Sequence, residues 1–201
     1  LNALKQLKEL TPSLLVQSRL SYTTIHVNGT PRRLVVLIKD LSSDQTNNEK
    51  IVRGPAAKHA YDPDGEPTKA AKGFARSQGI SIDELEIRNI DDGEYVVAVL
   101  LEVGRELPDV MVEIIPEIIR KLSFHKTMRW MSGEDSIAFP RPIRWIVSLL
   151  GSDVLPFSFA GIKSGRESRG LRSQGPVLIR IPKAAAYTSV MLDHKIIIDA
   201  S

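Results

Sequence analysis

Three pairs of apolar, β-branched segments, each joined by a short run of turn-forming residues, constrain the fold of this 201-residue chain more than any other feature. The pairs are residues 23–27 with 33–39, 85–90 with 95–103, and 143–150 with 154–159. Asn28-Gly29 and Asp91-Asp92-Gly93 separate the partners of the first two pairs, and such dipeptides favour tight hairpin turns. The sequence therefore predicts three antiparallel hairpins, the last of which places Trp145 on a strand.

Four further segments show the apolar spacing of a helix. They cover residues 1–10, 69–78, 108–121 and 184–194. Pro12 predicts an end to the first helix near Thr11, because proline interrupts the hydrogen-bond ladder. Thr68 and Gly79 are expected to cap the second helix at its two ends. Pro116 is expected to kink the third.

The remaining segments complete a mixed architecture. Short strands are expected at 50–53, 177–181 and 195–199. Residues 161–175 are rich in glycine, serine and arginine, which indicates an exposed loop or a short edge segment, and the composition is that of a mobile basic arm. Together these elements predict an α+β fold in which several antiparallel hairpins pack with three or four helices. We expect an N-terminal α+β region at 1–122 and a second α+β region at 123–201 that contains the basic arm.

Composition excludes several classes of function. The chain contains no cysteine, which excludes disulfides, thiolate zinc sites and cysteine nucleophiles. No apolar run approaches the ~20 residues of a membrane-spanning helix. The formal net charge of +3 conceals a strong segregation, since residues 81–119 carry 2 basic and 11 acidic side chains while residues 120–180 carry 11 and 4. Basic segments of this kind favour a polyanionic partner, although they also occur on ordinary solvated surfaces.

Both tryptophans of the chain lie in one short basic window. Trp130 ends the run Lys126-Thr-Met-Arg-Trp, and Trp145 ends Arg141-Pro-Ile-Arg-Trp, with nine residues from Met131 to Phe139 and then Pro140 between the two runs. Guanidinium groups bind phosphate in bidentate fashion, and indole rings stack on bases, so this combination is typical of nucleic-acid contact. The alternative is a buried tryptophan pair flanked by structural ion pairs.

Motifs that would carry catalysis are absent from the sequence. There is no phosphate-binding P-loop, no Gly-x-Gly-x-x-Gly, no Gly-x-Ser-x-Gly and no His-Glu-x-x-His. The four histidines are isolated, and the carboxylate pairs Asp91-Asp92 and Glu134-Asp135 lie beside glycine, as turn residues do. Ser164-Gly165-Arg166 is a candidate anion-binding nest. The sequence therefore indicates a binding module without catalytic residues, metal ligands or a cofactor of its own.

Six motifs taken together reveal a resemblance to a known family. They are Thr30-Pro-Arg-Arg-Leu34, Arg53-Gly-Pro55, Pro67-Thr-Lys-Ala-Ala71 followed by Gly73-Phe-Ala-Arg76, Lys126-x-Met-Arg-Trp130, Phe139-x-Arg-Pro142 and Gly161-Ile-x-Ser164. In this order they resemble the N-terminal region of the bacterial-type glycyl-tRNA synthetase β subunit. The resemblance covers about residues 1–201 and implies a fragment of a longer chain. That chain would continue into an HD-like domain and an anticodon-binding domain.

The resemblance also implies an assembly and a division of labour. The family forms an α2β2 enzyme, or a dimer of fused chains in plastids, in which the α subunit uses ATP with Mg to charge tRNA(Gly) with glycine at a class II active site. The β subunit contributes tRNA binding. One departure is Gly170-Leu-Arg-Ser173, where the family commonly shows Gly-His-Arg-Phe. This exchange and the Phe139–Trp145 sequence favour a plastid-type member over one from the bacterial cytoplasm.

The resemblance and the basic residues together yield a set of candidate tRNA contacts, chiefly to phosphates. The set is Arg32, Arg33, Lys69, Lys72, Arg76, Lys126, Arg129, Arg141, Arg144, Arg166, Arg169 and Arg172. Lys69, Lys72 and Arg76 have the spacing of one helix face. The alternative function is a structural scaffold or subunit-packing module that does not touch tRNA and uses the acidic segment 81–119 as its protein contact.

Overall fold

The computed structural model describes residues 2–62, 64–91, 93–130, 137–175 and 177–198. It has five α-helices among these residues. They are α1 (Asn2–Gln17), α2 (Ala57–Ala60), α3 (Lys69–Gln78), α4 (Leu107–Lys121) and α5 (Tyr187–Asp193). The strands pair almost entirely in antiparallel fashion, which confirms the α+β class. The one-turn helix α2 is additional to the expected elements.

The chain divides into two compact units. Unit 1 comprises Leu1–Gln45 and Arg105–Ser201, and unit 2 comprises Thr46–Gly104. This grouping differs from the expected division at 122 and 123. The reason is that Leu122 and Leu155, on opposite sides of that boundary, belong to the same hydrophobic core as Leu7 of α1.

Unit 2 is a three-stranded sheet with two helices. Its strands are β3 (Asn48–Ala56), β4 (Leu85–Ile90) and β5 (Gly93–Glu102), in the order β3-β5-β4. The predicted hairpin of β4 and β5 is confirmed, with Ile90 paired to Gly93. A register shift between Arg53 and Ala56 marks Gly54-Pro55 as an irregularity of β3. Small side chains, among them Ala60, Ala71 and Val96, form its core.

Helix α3 of unit 2 follows the sequence-based expectation closely. Thr68 is its N-cap residue and Gly79, with φ of 72°, its C-cap residue. Gly79 and Ile80 donate their backbone N–H groups to Arg76 O and Ala75 O, the bonding that a left-handed glycine makes possible. The Thr68 hydroxyl does not accept the capping bond but donates to His59 O at 2.8 Å.

Unit 1 is built from one long hairpin, three helices and several short strands. The hairpin is β1 (Thr24–Thr30) with β2 (Arg33–Lys39). The short strands are β6 (Met128–Trp130), β7 (Ile137–Phe139), β8 (Ile146–Val147), β9 (Leu149–Leu150), β10 (Asp153–Val154), β11 (Ser158–Phe159), β12 (Ile162–Gly165), β13 (Glu167–Arg169) and β14 (Leu178–Arg180). A second apolar cluster of unit 1 surrounds Ile179, Ile181 and Met191.

Two local expectations in the first half of unit 1 are wrong. Helix α1 does not end near Thr11 but includes Pro12 and continues to Gln17, because Leu14 and Leu15 are buried in the core beyond the proline. The hairpin turn is Pro31-Arg32, and Asn28-Gly29 lie within β1. Gly29 is required there by packing, since a Cβ at this position would lie 2.7 Å from Arg33 O.

Three expectations in the second half of unit 1 are also wrong. The third hairpin is only the short pair β9 and β10, while β8 pairs in parallel with β12. Residues 161–175 form no mobile arm, because β12 and β13 pair with neighbouring strands and Ser168 and Gly170 are buried. Residues 195–198 form no strand, and Asp199 lies outside the described residues.

Candidate nucleic-acid interface

The basic window begins with a small two-stranded ribbon. Strands β6 and β7 pair Arg129 with Ala138, and the indole Nε1 of Trp130 donates to Phe139 O at 2.8 Å. This bond satisfies the indole N–H and holds the half-buried ring against the ribbon. Lys126 and Arg129 are exposed. The pair Glu134-Asp135, expected in a turn, lies outside the described residues.

Trp145 is the centre of an arginine cluster. It does not lie on a strand, as expected, but directly precedes β8 and is half-buried. The guanidinium carbons of Arg32 and Arg33 lie 5.9 and 5.7 Å from the Trp145 ring centroid. Both distances are within the range of a cation–π interaction. Arg141 and Arg144, in the segment that leads to this ring, are exposed.

Arg32 and Arg33 differ in their burial, although both bond to the same backbone segment. Arg32 Nη1 donates to Gly170 O at 3.1 Å, and Arg33 Nη2 donates to Arg169 O. Arg32 is otherwise exposed, whereas Arg33 is only 7% exposed. Burial lowers the pKa of the Arg33 guanidinium, which remains protonated at neutral pH. The two side chains thus fix residues 169 and 170 next to the β1–β2 turn.

Tyr187, at the start of α5, is the principal electrostatic neighbour of Arg33. Burial raises the pKa of the Tyr187 hydroxyl, and the positive charge of Arg33 opposes part of that rise. The hydroxyl is therefore neutral at physiological pH and does not neutralise the arginine. Arg53, Arg88, Arg105 and Lys121 do form ion pairs with carboxylates.

The arginines of segment 161–175 are fixed to the structure in different ways. Arg166 donates to Pro182 O at 3.1 Å and to Ser152 O at 2.9 Å. Arg169 is half-buried, and its Nε has no hydrogen-bond partner within the described ranges. Arg172 is exposed, in a one-turn 3-10 helix. Ser164 is bonded internally through both its amide and its hydroxyl, to Phe157 O and Leu155 O, so it is not free to bind an anion.

The predicted stripe on α3 is present in unit 2. Lys69, Lys72 and Arg76 are all exposed, while Ala71 and Ala75 on the other side of the helix are buried. Asp91, from the other carboxylate pair, occupies the β4–β5 turn, and its Oδ2 lies 3.5 Å from Arg53 Nη1; Asp92 lies outside the described residues.

Nine of the twelve candidate cations are exposed. They are Arg32, Lys69, Lys72, Arg76, Lys126, Arg129, Arg141, Arg144 and Arg172.

Sequence reasoning missed a groove that lies against the arginine cluster. The groove is open, has a volume of about 390 Å³, and is lined by three segments of unit 1: Thr30–Arg33, Leu171–Ser173 and Lys195–Ile197. Lys195 was overlooked because the run Lys-Ile-Ile-Ile has the composition of a strand. A sequence signal did exist, since the polar residues Asp193 and His194 interrupt the apolar pattern directly before Lys195.

The described residues contain no group of three or more His, Asp or Glu side chains positioned to hold a metal ion. None of the helices within those ranges is both long enough and apolar enough to cross a bilayer.

Comparison with known proteins relates this basic surface to a family. The sequence profile described as glycyl-tRNA synthetase beta subunit matches residues 1–201. The chain belongs to this family. It is 47% identical over 183 residues to the glycine–tRNA ligase beta subunit of Desulforamulus reducens, which covers 90% of this chain and 26% of the relative.

Relatives occur in a plant as well as in bacteria. The chain is 43% identical over 199 residues to the chloroplastic/mitochondrial glycine–tRNA ligase 2 of Arabidopsis thaliana, covering 99% of this chain and 18% of that protein. It is 39% identical over 197 residues to the beta subunit of Moorella thermoacetica, covering 98% of this chain and 28% of that subunit. The chain thus spans about a quarter or less of the length of these relatives.

Proposed function

We propose that this chain is a tRNA-binding, non-catalytic part of a glycine–tRNA ligase. In this proposal it supports the ATP-dependent charging of tRNA(Gly), and the ATP, Mg and glycine sites lie in an α subunit or α region. The assembly is an α2β2 enzyme or a dimer of fused chains. Membership of the beta subunit family and the names of the relatives support this assignment.

The observation that carries the proposal is the exposure of the arginines in the basic window that contains Trp130 and Trp145. Arg129, Arg141 and Arg144 are exposed, and the ion pairs found between described residues do not include them. Solvated guanidinium groups beside half-buried indoles can bind phosphates without first breaking an internal ion pair. Such contacts position an RNA without reading its sequence.

The proposal includes a cellular setting. Plant organellar and bacterial relatives both cover at least 90% of the chain, and the Leu171 and Ser173 departures from the family pattern favour the plastid. Localisation of a fluorescent fusion of the full-length protein tests this part.

Filter binding of tRNA(Gly) to the complete enzyme over a range of salt concentrations tests the RNA contact. The double variant Arg129→Ala with Arg144→Ala is expected to weaken binding and to flatten the plot of log K against log salt by about 0.7 to 0.9 per lost phosphate contact. The matched control is Arg88→Ala with Arg105→Ala, which removes the same charge from residues paired with Glu86 and Glu113. If both double variants behave alike, Arg129 and Arg144 do not bind tRNA and the scaffold function is favoured.

A further inference from the structure

The groove lined by Thr30–Arg33, Leu171–Ser173 and Lys195–Ile197 concentrates positive charge. Four cations line it, namely Arg32, Arg33, Arg172 and Lys195. Thr30 and Ser173 add two hydroxyl groups. None of the described residues that line the groove is acidic. Cations this close together repel one another, so an anion between them lowers their electrostatic energy.

Arg33 is the buried member of this set. It is 7% exposed, its Nη2 donates to Arg169 O, and its Nε has no partner in the part of the chain that the structure describes. A buried charge is normally paired with an opposite charge, because its desolvation is otherwise uncompensated. Tyr187 forms a side-chain hydrogen bond with Arg33, but burial raises the pKa of its hydroxyl, which is neutral at physiological pH. Among the described residues Arg33 therefore lacks a counter-ion, which a ligand in the groove can supply.

Lys195, one of the cations that line the groove, has a backbone conformation that is unfavourable for lysine. Its φ of 59° is left-handed. Lys195 N donates to Leu192 O at 2.8 Å and Ile196 N to Met191 O at 2.9 Å, which is the helix-ending arrangement that usually contains glycine. A side chain in this conformation costs about 1 kcal/mol relative to glycine. Of the described non-glycine residues with a positive φ, Lys195 is the one that lines the groove.

We propose that this groove binds a phosphate group of the RNA backbone, with Arg33 as its buried anchor and Arg32, Arg172 and Lys195 around it. This inference rests on the proposed tRNA-binding function and specifies a site within it. The planar donors of the arginines and the two hydroxyls match phosphate oxygens. The groove is open to solvent, which a polynucleotide strand requires for access.

Lys195→Gly in the complete enzyme separates binding from folding. It removes a groove cation and relieves the left-handed strain, so the unfolding temperature is expected to stay equal or to rise. The Kd for tRNA(Gly) is expected to increase roughly 3- to 10-fold at low salt, and the salt slope to flatten by about 0.7 to 0.9. Lys195→Arg keeps the charge and is expected to retain binding. Lys163→Ala, an exposed lysine outside the groove, is the charge control.

The outcomes assign each failure to one hypothesis. If Lys195→Gly and Lys163→Ala give the same Kd while Arg129→Ala with Arg144→Ala weakens binding, tRNA binding stands and the groove assignment is overturned. If none of these variants changes the Kd, the proposed function itself fails. A third arm adds inorganic phosphate without RNA. If phosphate stabilises the wild type but not Lys195→Gly, and the tRNA affinities of the two are equal, the groove binds a free anion and the RNA assignment is overturned.

Discussion

At the scale of single residues, Arg33 combines structural contacts with the phosphate-binding role proposed above. Its guanidinium group, on strand β2, donates a hydrogen bond to Arg169 O, and the guanidinium carbon lies 5.7 Å from the Trp145 ring centroid. The neighbouring Arg32 has a similar pair of contacts but remains exposed. Substitution of Arg33 therefore tests folding and RNA binding together, whereas Arg32 and Lys195 report on binding more directly.

Glycines provide a second residue-scale prediction. Gly29→Ala is expected to destabilise the protein by about 1 to 3 kcal/mol, because the new Cβ would lie 2.7 Å from Arg33 O, a backbone atom of the paired strand. Thermal and urea unfolding measure the change.

The control for this prediction is Gly73→Ala in helix α3. A Cβ there meets nothing within 4 Å, and alanine favours a helix interior by roughly 0.5 to 1 kcal/mol over glycine. We expect the two substitutions to shift the unfolding midpoint in opposite directions. Equal stability of Gly29→Ala and the wild type would show that β1 and β2 approach less closely than described.

At the scale of secondary-structure elements, Pro12 of α1 and Pro108 of α4 are expected to affect stability by different amounts. Pro12 lies inside α1 and interrupts its ladder, while Pro108 lies in the first turn of α4, where no N–H bond is lost. Pro12→Ala is expected to raise the free energy of unfolding by up to about 3 kcal/mol. Pro108→Ala is expected to change it by less than about 1 kcal/mol. Differential scanning calorimetry of both variants checks the order, and a destabilised Pro12→Ala would mean that the pyrrolidine ring itself is needed for packing.

The same elements show what the sequence alone could predict. The β4–β5 hairpin and helix α3 were predictable because local turn and cap residues determine them, as Gly79 illustrates. The extension of α1 past Pro12 was not predictable, because it depends on the burial of Leu14 and Leu15 by distant residues.

The candidate site also has parts that could be predicted from the sequence and parts that could not. Exposure of the Lys69, Lys72 and Arg76 stripe follows from helical spacing alone. The groove at Arg33 and Lys195 does not, because it joins segments more than 130 residues apart in the chain. Segment 161–175 was misassigned because its pairing partners, β8 and β14, lie outside the segment itself.

At the scale of the whole molecule, unit 2 is an insertion whose two ends are held together by hydrogen bonds. Gln45 N donates to Arg105 O at 3.0 Å, and Leu107 N donates to Ser43 O at 2.8 Å. The two hydrophobic clusters of unit 1 contain none of the described residues between 46 and 104. The chain therefore leaves unit 1 after Gln45 and returns to it at Arg105, and these two residues are hydrogen-bonded to each other.

Replacement of residues 46–104 by a short glycine-serine linker is consequently expected to leave unit 1 folded. Retained cooperative thermal unfolding and a retained near-UV circular dichroism signal from Trp130 and Trp145 would show this. The control replaces α4 (Leu107–Lys121) by a linker of similar flexibility. That change removes five buried residues of the core and is expected to abolish cooperative unfolding.

This insertion also affects how the polypeptide folds during synthesis. Helices α1 and α4 pack in one core, yet roughly 60 residues of unit 2 are translated between Gln45 and Arg105. At about 5 to 20 residues per second, translation of unit 2 takes some 3 to 12 seconds, so α1 is synthesised that long before α4 begins. Throughout that interval the leucine-rich face of α1 cannot pack against α4, so part of the unit 1 core stays exposed on the nascent polypeptide.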